Sequence, residues 1–404
     1  MTEVYFLNRD LSIAGGPIDS FISLVFREAY YDCGDFTLVL NMEQALFETA
    51  LGASFIRVTG RRGLGRIERI SFRDDDGASS GIGRLTISGR MAESLLGDRV
   101  IPRGTMVSGD LVRCVEKLVS ENAGELAGVR SIAGVTVGQS PSLLDGQGDV
   151  IKIDDQVSGQ PLDEWLREVL SKADAGYRIT PDYGTGKLVF SVYRGLDRTK
   201  AQTENSYAIF STSFSSIGKL EFLCDRSDYK NFAYIAGEGV GEQRVMLTLD
   251  LRAGDEELRE IYVDARDLQS TDGEETMSEE AYGVLLLSRG RQRLASHESI
   301  VRLSGVAAPY VYFSENGGND GTHCLPPIGT ETTSSMCADV HYALGDKCEI
   351  VSESLGMSWT ERITEITYIY EGTAVQIQPY FGTVYPDLRR YIKKCADESK
   401  TINR

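Results

Sequence analysis

The chain has 404 residues, 41% of them apolar and 25% charged, with 60 acidic against 42 basic side chains for a net charge of −18. That length is expected to hold two to four domains of about 100 to 200 residues, and the composition is that of a soluble globular protein. No stretch approaches the roughly 18 uninterrupted apolar residues of a membrane helix, so stable membrane insertion is not expected. The opening Met1 to Phe6 also lacks the basic-then-apolar pattern of a secretory signal. The acidic balance repels phosphate backbones and disfavours general nucleic-acid binding, although it suits a surface past which DNA slides without sticking. Cys33, Cys114, Cys224, Cys324, Cys337, Cys348 and Cys395 are too sparse for a disulfide framework, which points to assembly in a reducing cytoplasm.

Residues 3–100 read as strands and turns. Alternation predicts strands over 21–26 and 36–40, with Ile22, Leu24, Phe26, Phe36, Leu38 and Leu40 on one face, joined by a turn carrying Asp32, Gly34 and Asp35. Further strands are expected over 54–59, 67–72 and 84–88, with an acidic turn at Asp74 to Gly77. The spacing fits a small barrel or sandwich.

The period then changes. Leu111, Val115, Leu118 and Val119 form a helical stripe, with Ser108 expected to cap it and Gly124 to stop it. A second helix carries Leu162, Trp165, Leu166, Val169 and Leu170, with Pro161 near its start and Asp163 and Glu164 set against the dipole. Strands over 176–179 and 188–193 close this α+β part. From Tyr207 strands dominate again, over 207–211, 219–223, 232–236 and 245–249. A helix follows over 278–296, opened by Thr276 or Ser278 and carrying Val284, Leu285 and Leu287, and the last strands are 347–351, 363–370 and 374–378. The expected architecture is mainly β: a barrel-like domain over 1–102, an α+β insertion over 103–204, a second β-rich domain over 205–383 and a charged tail over 384–404.

Motifs that tempt toward chemistry fail in detail. Gly184-Thr185-Gly186-Lys187 has Leu188 where a phosphate loop needs Ser or Thr, and a strand where it needs a helix. Gly237, Gly239 and Gly241 end a strand, but more strand follows. Both read as hairpins. His323, Cys324, Cys337, His341 and Cys348 form the one metal-like cluster, yet match no standard zinc spacing, and ordinary buried thiols are the simpler reading. The acidic stretches 74–76, 145–155 and 316–320 lack the ligand alternation of a calcium loop. Arg61, Arg62 and Arg66 are a compact basic cluster suited to an acidic partner surface or to ringing a hairpin. With three histidines and no nucleophile elbow or His-Glu-x-x-His helix, neither catalytic, metal nor cofactor residues are assigned, and no enzyme is expected. A glycan hydrolase using two carboxylates is the alternative from another class. Tyr310, Tyr312, Tyr368 and Tyr370 could stack on sugars in an adhesin, but they alternate as packing residues do.

The order of several short motifs resembles the siphophage tail-hub family, relatives of baseplate hub proteins and of the N-terminal part of tail-associated lysins. Leu7-Asn8-Arg9-Asp10, Phe26-Arg27 and Gly34-Asp35-Phe36 are similar to its opening strands, followed by Ser88-Gly89-Arg90, Leu95-Leu96 and Arg99-Val100-Ile101. Phe190 to Tyr193 with Gly195, Asp197, Arg198 and Thr199 resembles the strand and turn before its second barrel. Asp228 to Asn231, Glu260 to Ala265, Leu344-Gly345-Asp346, Ile363 to Ile366 and Pro379 to Gly382 then follow in order. The resemblance implies a homotrimeric ring at the tail tip of a virion, two barrels per subunit imitating a six-fold tube. It further implies distal tail, tail-tube or tape-measure, and spike or fibre proteins as partners, with DNA passing through unbound. A hub of a contractile injection system or tail-like bacteriocin is the close variant. With the sequence stopping at Arg404, any lysin or fibre is expected on a separate chain.

Overall fold

A computed structural model describes residues 2–73, 83–102, 104–157, 159–213, 216–272, 275–307, 342–372 and 374–382. Contacts divide the chain into one unit from Met1–Glu221 with Ser304–Gly382, and a second built on Phe222–Leu303. Strands dominate both, as the mainly β reading requires. No described helix is long and apolar enough to cross a membrane.

The first unit begins with β1 (Val4–Leu7), β2 (Ile13–Ile18), β3 (Ser23–Ala29) and β4 (Asp35–Asn41). After α1 (Gln44–Gly52) come β5 (Phe55–Val58), β6 (Leu64–Arg66), β7 (Arg69–Arg73) and β8 (Arg84–Arg90). One sheet runs β2-β1-β5-β6, while β3, β4, β8 and β7 belong to a second, larger one. Leu24, Phe26, Phe36, Leu38 and Leu40 share a buried face, as alternation predicts. Ile22 does not join them: it precedes β3 and is 37% exposed. Helix α1 is absent from the sequence reading because it buries only Ala50, so no apolar stripe announces it. The turn at 74–77 lies outside the described residues.

The chain continues through β9 (Thr105–Asp110), α2 (Leu111–Asn122), β10 (Val135–Val137), β11 (Lys152–Val157), α3 (Leu162–Lys172), β12 (Gly176–Asp182) and β13 (Lys187–Tyr193). Helix α2 is capped by Asp110, whose carboxylate accepts from the Val112 N–H at 2.9 Å and the Arg113 N–H at 3.4 Å. Ser108 instead lies within β9, so the expected cap is displaced by two residues. The apolar stripes of α2 and α3 enter one core with Tyr177, Ile179, Leu188 and Phe190. Trp165 is at its centre, and its indole N–H donates to Asp155 Oδ2 at 3.2 Å, which satisfies the one polar atom its burial would strand.

After β14 (Ile209–Ser211), β15 (Ile217–Asp225) carries the chain out of the first unit. The second unit holds β16 (Phe232–Ala236), β17 (Met246–Asp250), β18 (Glu260–Asp264), a small hairpin of β19 (Thr271–Asp272) and β20 (Glu275–Thr276), and α4 (Glu279–Ala295). Ser278 caps α4, its hydroxyl accepting from the Ala281 N–H at 3.2 Å. Tyr282, Leu286 and Leu294 pack on Ala233, Ile235, Leu249 and Val263 of the sheet β17-β16-β18. A Cβ on Gly290 would stand 2.3 Å from Ile235 Cδ1, so glycine sets how closely helix and sheet approach. Of the apolar residues the helix is expected to carry, Leu287 reaches the core edge, but Val284 is 68% exposed and Leu285 also faces outward.

The chain re-enters the first unit along β21 (Ile300–Ala307) and ends in β22 (Lys347–Ser352), β23 (Met357–Glu371) and β24 (Ala374–Gly382). The large sheet has ten strands. Eight follow one path, β15-β21-β24-β23-β3-β4-β8-β7, with β14 and β22 off it. The fifteen-residue β23 makes this possible: Met357 to Arg362 pair with β22, and its second half pairs with both β24 and β3.

Candidate functional site

Register places the two faces of the long sheet in different chemistry. Tyr368, Phe26 and Phe36 lie in one row across β23, β3 and β4, and Tyr370, Leu24, Leu38 and Ile87 in the next. These side chains are buried, including Tyr368 and Tyr370, which are therefore closed to sugar stacking. On the opposite face Gln378, Thr367, Arg27, Asp35 and Arg90 form one row, and Gln376, Ile369, Val25, Thr37, Ser88 and Arg69 the next. Most of this face is hydroxyl, amide or charge. Its central charges are matched, since Arg27 donates to Asp35 at 2.9 Å through Nε and stands 3.4 Å from Glu365, while Arg90 grips Glu68 at 2.7 Å.

A polar clamp holds the strands of this sheet to the α3–β12 turn. Asp174, in the left-handed region at φ 52°, accepts from Arg362 Nε at 2.7 Å and from the Tyr31 hydroxyl at 2.8 Å. Arg362 Nη2 completes the bidentate pair, and its Nη1 reaches the Gly345 carbonyl. Arg194 donates to the Leu144 carbonyl at 2.6 Å and the Asp174 carbonyl at 3.3 Å. Tyr30 fills the centre, its ring beside Tyr31 and Tyr193 and its hydroxyl accepting from the Gly195 N–H at 3.2 Å. Below it the buried Asp346 accepts from the N–H groups of Leu196 at 2.8 Å and Ala343 at 2.9 Å, and pairs with Arg198. Burial pushes the Asp174 carboxyl up, but the Arg362 hydrogen bonds and charge outweigh it and leave the group below the ordinary range. Burial and the adjacent Asp174 charge push the Tyr31 hydroxyl up.

Expected site residues find structural places. Gly184 to Lys187 is the β12–β13 hairpin, with Asp182 accepting from the Gly184 N–H at 3.0 Å and the Thr185 hydroxyl at 2.6 Å. Gly237, Gly239 and Gly241 connect the antiparallel β16 and β17. Asp145 accepts from the N–H groups of Gln147 and Asp149, both at 2.9 Å, as a solvated turn does. Cys348 is buried in β22, and burial raises its thiol, as it does that of Cys33. His323, Cys324, Cys337, His341, residues 316–320, Tyr310, Tyr312 and the 384–404 tail lie outside the described residues. Among the described residues no three His, Cys, Asp or Glu side chains are placed to hold a metal ion. Arg66 is tied to Asp98 at 2.9 Å, whereas Arg61 stacks on Tyr368 and Arg62 is exposed.

In the second unit Asp264 is held near a pKa of about 2, chiefly by its hydrogen bonds from Arg266, against some burial, with the Arg266 N–H and Arg244 adding to it. A carboxyl depressed in the folded state stabilises above its unfolded value and loses that contribution as pH falls through the folded one. Urea melts of the wild type are therefore expected to lose stability between about pH 4 and 2 more steeply than those of Asp264→Asn. Equal slopes would show that the Arg244–Asp264–Arg266 cluster is not formed in solution.

These features define a mainly β protein organised around one extended sheet with a dry face and a polar face. Residues 2–383 match the family described as Siphovirus ReqiPepy6 Gp37-like protein, and the chain belongs to this siphovirus tail-protein family. The tail protein from Neisseria meningitidis MC58 is similar at 14% identity and TM-score 0.55, covering 95% of this chain and 96% of that one. The 43 kDa tail protein of prophage MuSo2 from Shewanella oneidensis is similar at 12% identity and TM-score 0.51, covering 96% and 98%. Both likenesses show the fold alone. No curated protein matches.

Proposed function

We propose that this phage tail protein is a hub at the tail tip, three copies of which close a ring between the tail tube and distal tail protein above and a spike or fibre below. The observation that carries the reading is the eight-strand path that ends, among the described residues, in two unpaired edges, β7 at one end and β15 at the other. An exposed edge is a row of unpaired backbone groups that must be covered or paired. Pairing β7 of one copy with β15 of the next is a head-to-tail contact, which closes when the rotation per copy divides the circle. Among the described residues no sheet closes on itself, so barrel closure belongs to the assembly in this reading.

The path also divides into two four-strand halves, β15-β21-β24-β23 and β3-β4-β8-β7, joined at β23 and β3. They fall within 205–383 and 1–102, which we take as the two tube-facing domains, with 103–204 as the insertion. Three copies then offer six comparable faces to a six-fold tube. The open part of the polar face, with Thr37, Ser88, Gln376 and Gln378 beside arginines matched by carboxylates, suits a lumen through which DNA passes without binding. The role is one of interface burial and calls for no catalytic group. Its test is the symmetry of the assembled tail tip at the position this chain occupies.

A further inference from the structure

We propose that the cleft between the β5–β6 turn and β12 is a binding site for a short acidic peptide segment of another tail component. The cleft has a volume of about 300 Å³ and is lined by Arg57, Arg61, Arg62, Arg178, Tyr183 and Pro181, with Gly60 and Thr180 completing the wall. No carboxylate lines it, in a chain whose net charge is −18. Arg57, Arg62 and Arg178 have no ion pair within 4 Å among the described residues, whereas most arginines on the sheet and clamp are matched. A smaller adjoining cavity shares Arg62 and Arg178 and includes Glu28 and Glu93. Glu93 is committed to the Ile179 N–H at 2.8 Å.

Three of the four guanidinium groups are held in place by aromatic rings. Arg57 stands 4.7 Å from the Tyr183 ring centre and 5.8 Å from that of Tyr5, Arg178 4.6 Å from Tyr193, and Arg61 3.8 Å from Tyr368. For Arg57 and Arg178 an aromatic ring covers one side of the guanidinium and leaves the remaining N–H groups to a ligand. Arginine has donors only, so the ligand must bring acceptors, and several of them.

At Arg61 and along β12 the backbone donors of the cleft are already used or blocked. The Arg61 N–H bonds the Val58 carbonyl at 3.0 Å, the outward Ile179 N–H is taken by Glu93, and Pro181 has none. Recognition therefore runs through side chains, not through strand addition or a nest of amides of the kind that cradles phosphate. A DNA duplex would extend past the cleft over a chain of net charge −18, while a short segment stays within roughly one screening length, about 8 Å at physiological salt. Tyr183 and Pro181 add apolar wall that suits the stems of Glu side chains.

The test is fluorescence anisotropy of the full chain with a labelled (Asp-Glu)3 peptide at 50 and 150 mM salt. Saturable binding that weakens with salt is expected, with about tenfold loss for Arg57→Gln and for Arg178→Gln and about 100-fold for both. Arg62→Gln, an exposed position, is expected to weaken binding with an unchanged melting temperature, which separates recognition from folding. Arg113→Gln, on α2, leaves it unchanged. Binding indifferent to all three cleft substitutions, or a 20-base-pair duplex or inorganic pyrophosphate competing as well as the peptide, would overturn the proposal. Because the peptide binds a single chain, failure here is distinct from failure of the ring.

Discussion

Replacing Phe72 by aspartate is expected to dissolve the proposed ring into folded monomers. Leu40, Leu85 and Phe72 lie in one row across β4, β8 and β7. The first two are buried, but Phe72 is 47% exposed at the end of the strand path, where no strand among the described residues pairs with the far side of β7. A carboxylate there costs the monomer about 1 kcal/mol. At a strand–strand junction the same charge would be buried without a partner, which costs several kcal/mol and weakens association by at least about 100-fold. The opposite edge is β15, where Phe222 and Leu223 are 47% and 44% exposed, so Leu223→Lys should have the same effect. Sedimentation velocity is expected to give the mass of three 44.4 kDa chains for the wild type and of one for each variant, with unchanged circular dichroism. A trimer that persists in both variants would show that these edges do not meet.

The largest effect on stability is expected from Gly195→Ala. A Cβ at this position would lie 2.0 Å from the carbonyl carbon and oxygen of Gly345 and 2.5 Å from the Asp346 nitrogen, all backbone atoms that no rotamer change can move. Gly345 is itself pinned: its φ is 92°, and a Cβ there would stand 2.3 Å from the Tyr30 ring. Any shift that relieves Gly195 therefore disturbs Tyr30, the Arg362–Asp174 pair and the buried Asp346–Arg198 pair together. The cost is expected to be about 3 kcal/mol or more, or roughly 5 °C in Tm for a unit of this size. Gly146→Ala, with open space around it, serves as the control and should stay within about 0.5 kcal/mol. A melting temperature for Gly195→Ala equal to that of the control would mean that the clamp is not the packed junction described above.

Local pattern revealed most of the elements that bury one clean face. The alternation in β3 and β4, the stripes of α2 and α3 and the hairpin at Asp182 to Lys187 are all legible, because each is decided by neighbours in sequence. Elements with weak faces were legible only in part: α1, which buries only Ala50, was missed, while α4 was expected with its Ser278 cap but not with Tyr282 and Leu286 inward and Val284 outward, since its apolar residues encircle the helix. What no local pattern carries is the pairing of Tyr368 with Phe26 and of Thr367 with Arg27, across more than three hundred residues. The basic cleft shows the same limit. Arg61 and Arg62 stand together in the sequence, but Arg57 alternates into a strand and Arg178 arrives from β12, so only the fold gathers the four. The clamp was partly visible as Gly195, Arg198 and Leu344-Gly345-Asp346 within the family motifs, while Asp174 and Arg362, which close it, were not singled out.

The central claim is a three-copy ring with a continuous inner sheet at the tail tip. Electron cryomicroscopy of intact tails from the phage that encodes this chain tests it most directly. The expected result is a closed three-fold ring at the tip, with β7 of each copy hydrogen-bonded to β15 of the next and the Thr37–Ser88–Gln376 face turned to the lumen. A chain found as single copies, along the tube shaft, or in a ring with its polar face outward would contradict it.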